Sequence, residues 1–182
     1  MGSWQIKKIL QSGSKEEKIT TLESISNVTD SKTIEEIIAV FDDTDIELRG
    51  EAFSTLLLND NDISGILLAN LKNQSKNIRG YCALVLANRN DRKAISEIIQ
   101  LTNDESAMVR SCAVGALGFL RATEATSAIQ KCLEDSNLEV KKSAIKSAID
   151  VNDKTLLTKL DRLSEDGDPE VGKLLVLAKN KL

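Results

Sequence analysis

The side chains of this sequence with the most obvious capacity for covalent chemistry are three cysteines, Cys82, Cys112 and Cys132. A cysteine becomes a catalytic nucleophile when a neighbouring base or cation lowers the pKa of its thiol, and the usual base is histidine. The 182 residues contain no histidine, which excludes Ser–His and Cys–His nucleophile pairs and His-containing metal sites. We therefore expect no catalytic residue, no cofactor and no enzyme activity.

A second segment with possible chemistry is the run Asp60-Asn-Asp62-Ile-Ser64-Gly65, which looks like the start of a calcium-binding loop. Such a loop ends in a glutamate that binds the ion with both carboxylate oxygens, and this chain has Leu71 at that position. The pattern therefore favours a helix-capping turn, and we expect no metal site.

Composition favours an all-helical protein. Aromatic residues make up 3% of the chain and there is a single proline, Pro169, whereas strands and their turns draw on both types. The chain has no long apolar run, no apolar leader after its start and no CxxC pair, so we expect a cytoplasmic protein that does not enter a membrane. Its net charge of -4 provides no overall basic surface for nucleic acid.

The strongest pattern is an internal repeat of 30 or 31 residues. A branched residue followed by a basic one marks an anchor position in each central repeat, at Leu48-Arg49, Ile78-Arg79, Val109-Arg110 and Val140-Lys141. An acidic or amide residue precedes each basic residue by six positions, at Asp43, Asn73, Asp104 and Asp135. Apolar residues on both sides of this marker recur with helical spacing, so each repeat predicts two helices.

The repeat predicts one domain of about twelve helices in six pairs, over residues 3–28, 30–58, 61–89, 91–120, 122–151 and 153–182. A pair this short cannot bury its apolar stripe alone, so neighbouring pairs must stack. The predicted fold is a right-handed α-solenoid, in the all-α class.

The motif Asp104…Val109-Arg110…Ala113…Ala116-Leu117-Gly118 and its copies resemble HEAT repeats, and in particular the short HEAT-like repeats of phycobilisome lyases. The resemblance implies that the acidic residue caps the second helix of each pair and that the basic residues form a structural ladder. It also implies that the second helices line a concave face. Two other proteins of this general type fit less well: deoxyhypusine hydroxylases need histidine ligands, and alkylpurine DNA glycosylases present basic, aromatic-lined grooves.

Helical geometry and this resemblance together predict which side chains of the second helices face solvent. Small residues (Gly50, Gly80, Ser111 and Gly115) should form the floor of the face. The predicted partner-binding residues have an apolar centre, an acidic end and a basic end, and the sequence leaves open whether the apolar ones are exposed or packed inward. They are Tyr81, Leu84, Met108, Cys112 and Phe119 at the centre, Glu47 and Glu51 at the acidic end, and Lys142 and Lys146 at the basic end.

This surface predicts a non-catalytic scaffold that binds a peptide or helix of a protein partner. We expect the protein to be a monomer. The alternative, implied by the resemblance, is a bilin-lyase-like protein or another enzyme accessory protein that handles a small ligand. Cys112 and Tyr81 would be the residues to test in that case.

Overall fold

A computed structural model describes residues 2–162 and 167–181 and confirms the all-α prediction: these residues form twelve α-helices and no strand. The chain divides into two compact units, Met1–Arg89 and Asn90–Leu182. The assignment of all six repeats to one domain stays a prediction. Among the described residues, no helix combines the length and apolar character needed to cross a membrane.

The first unit contains three helix pairs. Their bounds are α1 Ser3–Ser12 with α2 Lys15–Ser24, α3 Ser31–Ala39 with α4 Ile46–Leu57, and α5 Ser64–Asn70 with α6 Lys76–Asn88. A short 3₁₀ turn, Val40–Asp42, joins the helices of the second pair. Each second helix packs beside the next one, α2 against α4 and α4 against α6.

The second unit also contains three pairs. They are α7 Ile95–Leu101 with α8 Ala107–Phe119, α9 Thr126–Cys132 with α10 Leu138–Val151, and α11 Leu157–Arg162 with α12 Pro169–Lys181. A 3₁₀ turn precedes the first helix of each pair, at Arg92–Ala94, Thr123–Ala125 and Lys154–Leu156. Here α8 packs against α10, and α10 against α12.

The repeated apolar positions form the core of both units. The branched anchor residues Leu48, Val109, Val140 and Val171 are all buried, as are the small residues that follow most of them, Ala52, Ala113 and Ala144. The helix contacts therefore use the residues that recur with the repeat.

The acidic residue of the repeat does not cap the second helix, and this prediction was wrong. The N-cap of α4 is Asp45 and that of α10 is Asn137, each two residues after the predicted cap. Asp43 Oδ1 accepts the backbone N–H of Asp45 at 3.0 Å, and Asp135 Oδ1 accepts that of Asn137 at 2.8 Å. The repeated carboxylate therefore stabilises the turn that presents the capping residue.

The basic residues have the structural role that the sequence predicts. Arg110 donates to both carboxylate oxygens of Asp135, at 2.8 and 2.9 Å, and to the backbone carbonyls of Asp104 and Glu105. In the first unit, the ammonium group of Lys18 lies 2.9 Å from the carboxylate of Asp43. Each of these side chains joins one repeat to the next.

Candidate functional site

Tyr81, on α6, is held in place by two neighbours. Its ring stacks on the buried ring of Phe41, with centroids 4.8 Å apart and an interplanar angle of 13°. The Nε–H of Arg49 donates to its hydroxyl at 3.3 Å. Tyr81 is half-buried as a result, and its substitution would disturb packing within the first unit.

The acidic end predicted for the binding surface lies on α4. Glu47 is exposed and its carboxylate lies 2.5 Å from the ammonium group of Lys15, which also contacts Asp45. The hydrogen bonds that Lys15 donates to Asp45 and, next in importance, to Glu47 raise the pKa of Lys15, so this amine remains charged. Glu51 is half-buried, and no ion pair involves it within residues 2–162 and 167–181.

The glycines predicted to form the floor of the face divide into two kinds. Gly80 is buried, so the prediction that it faces solvent was wrong. A Cβ atom added at Gly50 or at Gly115 would meet no atom within 4 Å, so these two positions are open. Packing against a neighbouring helix therefore does not account for Gly50 or Gly115.

The largest exposed apolar side chain of α8 is Phe119, at 58%. Met108, Cys112 and Gly115 are half-buried. Met108 precedes Phe119 by three helical turns, or roughly 16 Å, so their side chains point to the same side of the helix. This arrangement gives α8 an apolar stripe with an open stretch at Gly115 between the two larger side chains.

None of the three cysteines is activated. Burial raises the pKa of Cys112 to about 11, that of Cys132 to about 11 and that of Cys82 to about 12. At neutral pH each is therefore a protonated thiol, which is a poor nucleophile. Within the part of the chain that the structure describes, no group of three Cys, Asp or Glu side chains is placed to hold a metal ion.

The predicted basic end lies on α10. The ammonium group of Lys142 lies 2.6 Å from the carboxylate of Glu139 and 2.7 Å from that of Glu170 on α12, so its charge is compensated. Lys146 is exposed one turn further along, and none of the residues described forms an ion pair with it.

The structure thus divides the predicted residues between the two units. Tyr81, Leu84, Glu47 and Glu51 lie in the first unit, on α4 and α6. The others lie in the second unit, on a surface that we call the α8–α10 face. It comprises Met108, Cys112, Gly115 and Phe119 of α8 with Lys142 and Lys146 of α10.

One exposed residue that the sequence analysis left out is Leu177 on α12, whose exposed fraction is 43%. It follows Lys146 by 31 residues, as Lys146 follows Gly115, so it occupies the same position in its repeat. The repeat spacing was the signal that could have identified it.

A family model of HEAT repeats matches residues 65–148, which confirms the resemblance in the central repeats. The structure is similar to one in the complex of CpcE and CpcF of phycocyanin lyase from Nostoc sp. PCC7120. That similarity has a TM-score of 0.72 at 22% identity and covers 82% of this chain and 99% of the other. No curated protein matches the sequence.

Two further structures share the repeat fold. One is a designed armadillo repeat protein in complex with the peptide (KR)4, with a TM-score of 0.58 at 18% identity, covering 97% of this chain and 98% of the other. The other is human deoxyhypusine hydroxylase in complex with glycerol, with a TM-score of 0.50 at 14% identity, covering 98% of this chain and 83% of the other. At these identities, the similarities show a common helical-repeat fold.

Proposed function

On the premise that this chain carries HEAT repeats, we propose that it is a non-catalytic scaffold that binds a peptide or helix of a partner protein. The binding residues are those of the second helices. In the second unit these are the α8–α10 face, and in the first unit they are Glu47, Glu51, Tyr81 and Leu84 on α4 and α6. A cytoplasmic location, a monomeric state and the lack of nucleic-acid partners stay predictions.

The exposure of Phe119 is the observation that carries this proposal. Phe119 is 58% exposed, and a partner that covers this aromatic side chain removes it from water, which stabilises the complex. Aromatic residues are also enriched among those that dominate binding energy. Beside it, the open position at Gly115 gives room for the backbone of a bound segment to approach the helix.

The chemistry of the cysteines supports binding over catalysis. With a pKa raised to about 11 by burial, the Cys112 thiol is protonated at neutral pH, and the chain has no histidine to deprotonate it. Among the similar structures, one is a designed repeat protein with a bound peptide and another is part of a two-protein complex. Both are consistent with a protein partner.

The proposal is tested with the double variant Met108→Ser/Phe119→Ser. Because Phe119 is largely exposed and Met108 is half-buried, we expect circular dichroism to show a folded helical protein. The wild type is used to retain partners from a native lysate, and one retained protein is then purified for calorimetry. We expect the double variant to bind it more than tenfold more weakly, since two such side chains contribute at least about 2 kcal/mol.

Val176→Ser is the matched control, because Val176 is similarly exposed, at 62%, on α12. Val114 and Ile145 occupy the same position in the two preceding repeats, and both are buried. Val176 therefore lies on a different side of its helix from the side that corresponds to the α8–α10 face. Equal weakening by the control variant and the double variant, or unchanged affinity of a folded double variant, would refute binding at the α8–α10 face.

The similarity to phycocyanin lyase supports a second candidate, a bilin-lyase-like accessory protein that holds a tetrapyrrole. Biliverdin is a suitable probe, because binding in a protein changes its visible absorbance spectrum. A saturable spectral change that Cys112→Ser abolishes would favour this candidate. The scaffold proposal instead predicts that neither the wild type nor the Cys112→Ser variant changes the spectrum that biliverdin has in buffer.

A further inference from the structure

The α8–α10 face continues onto α12 within the second unit. The 31-residue spacing places Leu177 of α12 beside Lys146 of α10, and Lys146 beside Gly115 of α8. The same spacing places Lys173 beside Lys142. The contact between Lys142 and Glu170, at 2.7 Å, shows that α10 and α12 adjoin along this side.

The surface carries charges of both signs, and its charged side chains that lie outside the ion pairs are mostly lysines. Glu139 and Glu170 both contact the single ammonium group of Lys142, so this cluster of three side chains keeps one net negative charge at the edge of the surface. Lys146 and Lys173 are exposed, and neither forms an ion pair with any residue in 2–162 or 167–181. Asp150 is the exposed acidic residue nearest to Phe119 by repeat position.

Apolar side chains lie on the same surface as these lysines. Phe119 is 58% exposed and Leu177 is 43% exposed, on the helices to either side of Lys146. At Gly115 a Cβ would meet no atom within 4 Å, so the surface has an open stretch next to this lysine. A segment lying across the three helices would contact apolar groups and uncompensated ammonium groups at once.

We propose that the partner segment bound here is acidic and carries apolar side chains, with its carboxylates at Lys146 and Lys173 and its apolar groups at Phe119 and Leu177. This inference rests on the proposed scaffold function and names the chemistry of its partner. Complementary charge sets the orientation and raises the rate of association, while the apolar contacts supply most of the affinity.

Two synthetic peptides labelled with fluorescein test the inference. In the first, glutamates alternate with leucines and phenylalanines; in the second, lysine replaces every glutamate. We measure their affinities for the folded full chain by fluorescence anisotropy at physiological ionic strength. We expect the glutamate peptide to bind at least tenfold more tightly, and its affinity to fall as salt is added, because exposed charges are screened.

Lys146→Glu should weaken binding of the glutamate peptide about five- to tenfold and strengthen binding of the lysine peptide. Lys93→Glu is the charge-matched control, because Lys93 is exposed in the 3₁₀ turn Arg92–Ala94 and is not one of the residues of the α8–α10 face or of α12. The control should leave the preference between peptides unchanged.

Equal affinity for both peptides, no binding of either, or equal effects of the two lysine variants would overturn the inference. If charge reversal has no effect while Phe119→Ser weakens both peptides, the chemistry proposed for the partner is wrong and apolar docking stands. Loss of lysate partners in the double variant is measured separately, so the scaffold function can fail or hold independently of the peptide result.

Discussion

Gly115→Ala and Gly118→Ala are the same chemical change about one turn apart on α8, and the structure predicts opposite effects on stability. A Cβ at Gly118 would lie 2.5 Å from Oγ and 2.7 Å from Cα of Ser147 on α10. Because Cα is a backbone atom, a rotamer change cannot relieve that contact, and α8 must move away from α10. A Cβ at Gly115 would meet no atom within 4 Å.

The expected magnitudes follow from these contacts. Alanine in place of a helical glycine should raise the free energy of unfolding by about 0.5–1 kcal/mol, and Gly115→Ala should show this gain alone. Gly118→Ala gains the same amount but suffers overpacking of about 1–3 kcal/mol. It also weakens the hydrogen bond that Ser147 Oγ donates to the carbonyl of Val114 at 2.8 Å, which contributes about 1 kcal/mol.

Urea unfolding followed by far-UV circular dichroism measures both variants against the wild type. We expect Gly115→Ala to be more stable, and Gly118→Ala to be less stable by about 1–3 kcal/mol, a decrease of several degrees in Tm. A stability change of the same sign in both variants would refute the assignment of Gly118 to a helix contact and Gly115 to open surface.

Two further outcomes follow from the charged ladder and the thiols. Arg110→Ala should lower the free energy of unfolding by about 1–3 kcal/mol at neutral pH, since it removes the hydrogen bonds to Asp135. The hydrogen bond from Arg110 is the main reason that the pKa of Asp135 lies below its ordinary 3.8. The free energy of unfolding of the wild type should therefore decrease as the pH falls through and below that value, and that of the variant should decrease less. An equal decrease in both proteins over this pH range would contradict the prediction. Iodoacetamide at about pH 8 should alkylate Cys112 in the native protein about 100-fold more slowly than in the urea-unfolded chain, because burial raises its pKa from 9.0 to about 11. Similar rates in the two states would show that Cys112 is not protected.

Most of the helical architecture could be predicted because it depends on patterns that repeat along the chain. Val109 and Val140 are buried at corresponding positions, and Arg110 joins its repeat to the next through Asp135. Such contacts recur between successive pairs, so a spacing of 31 residues is enough to place them.

The local environment of single side chains could not be predicted in this way. Phe41 lies in a 3₁₀ turn outside the anchor pattern, and its stacking determines how Tyr81 is held. Lys142 has the expected position on α10, but its two carboxylate contacts depend on the orientation of long side chains on neighbouring turns and helices. Periodicity predicts which side of a helix a residue faces, and it does not predict which charges are compensated there.

The division between repeated and variable positions explains how a fold of this kind can acquire a specific partner. At the anchor position the second unit has valine three times, because a buried contact between helices accepts little change in volume. Six residues later the three repeats have Gly115, Lys146 and Leu177, which differ in size, charge and polarity. Stacking does not constrain this position, because each of the three residues is at least partly exposed. Substitutions there should therefore change what the surface binds with little effect on the stability of the fold. The valines at the anchor position are Val109, Val140 and Val171.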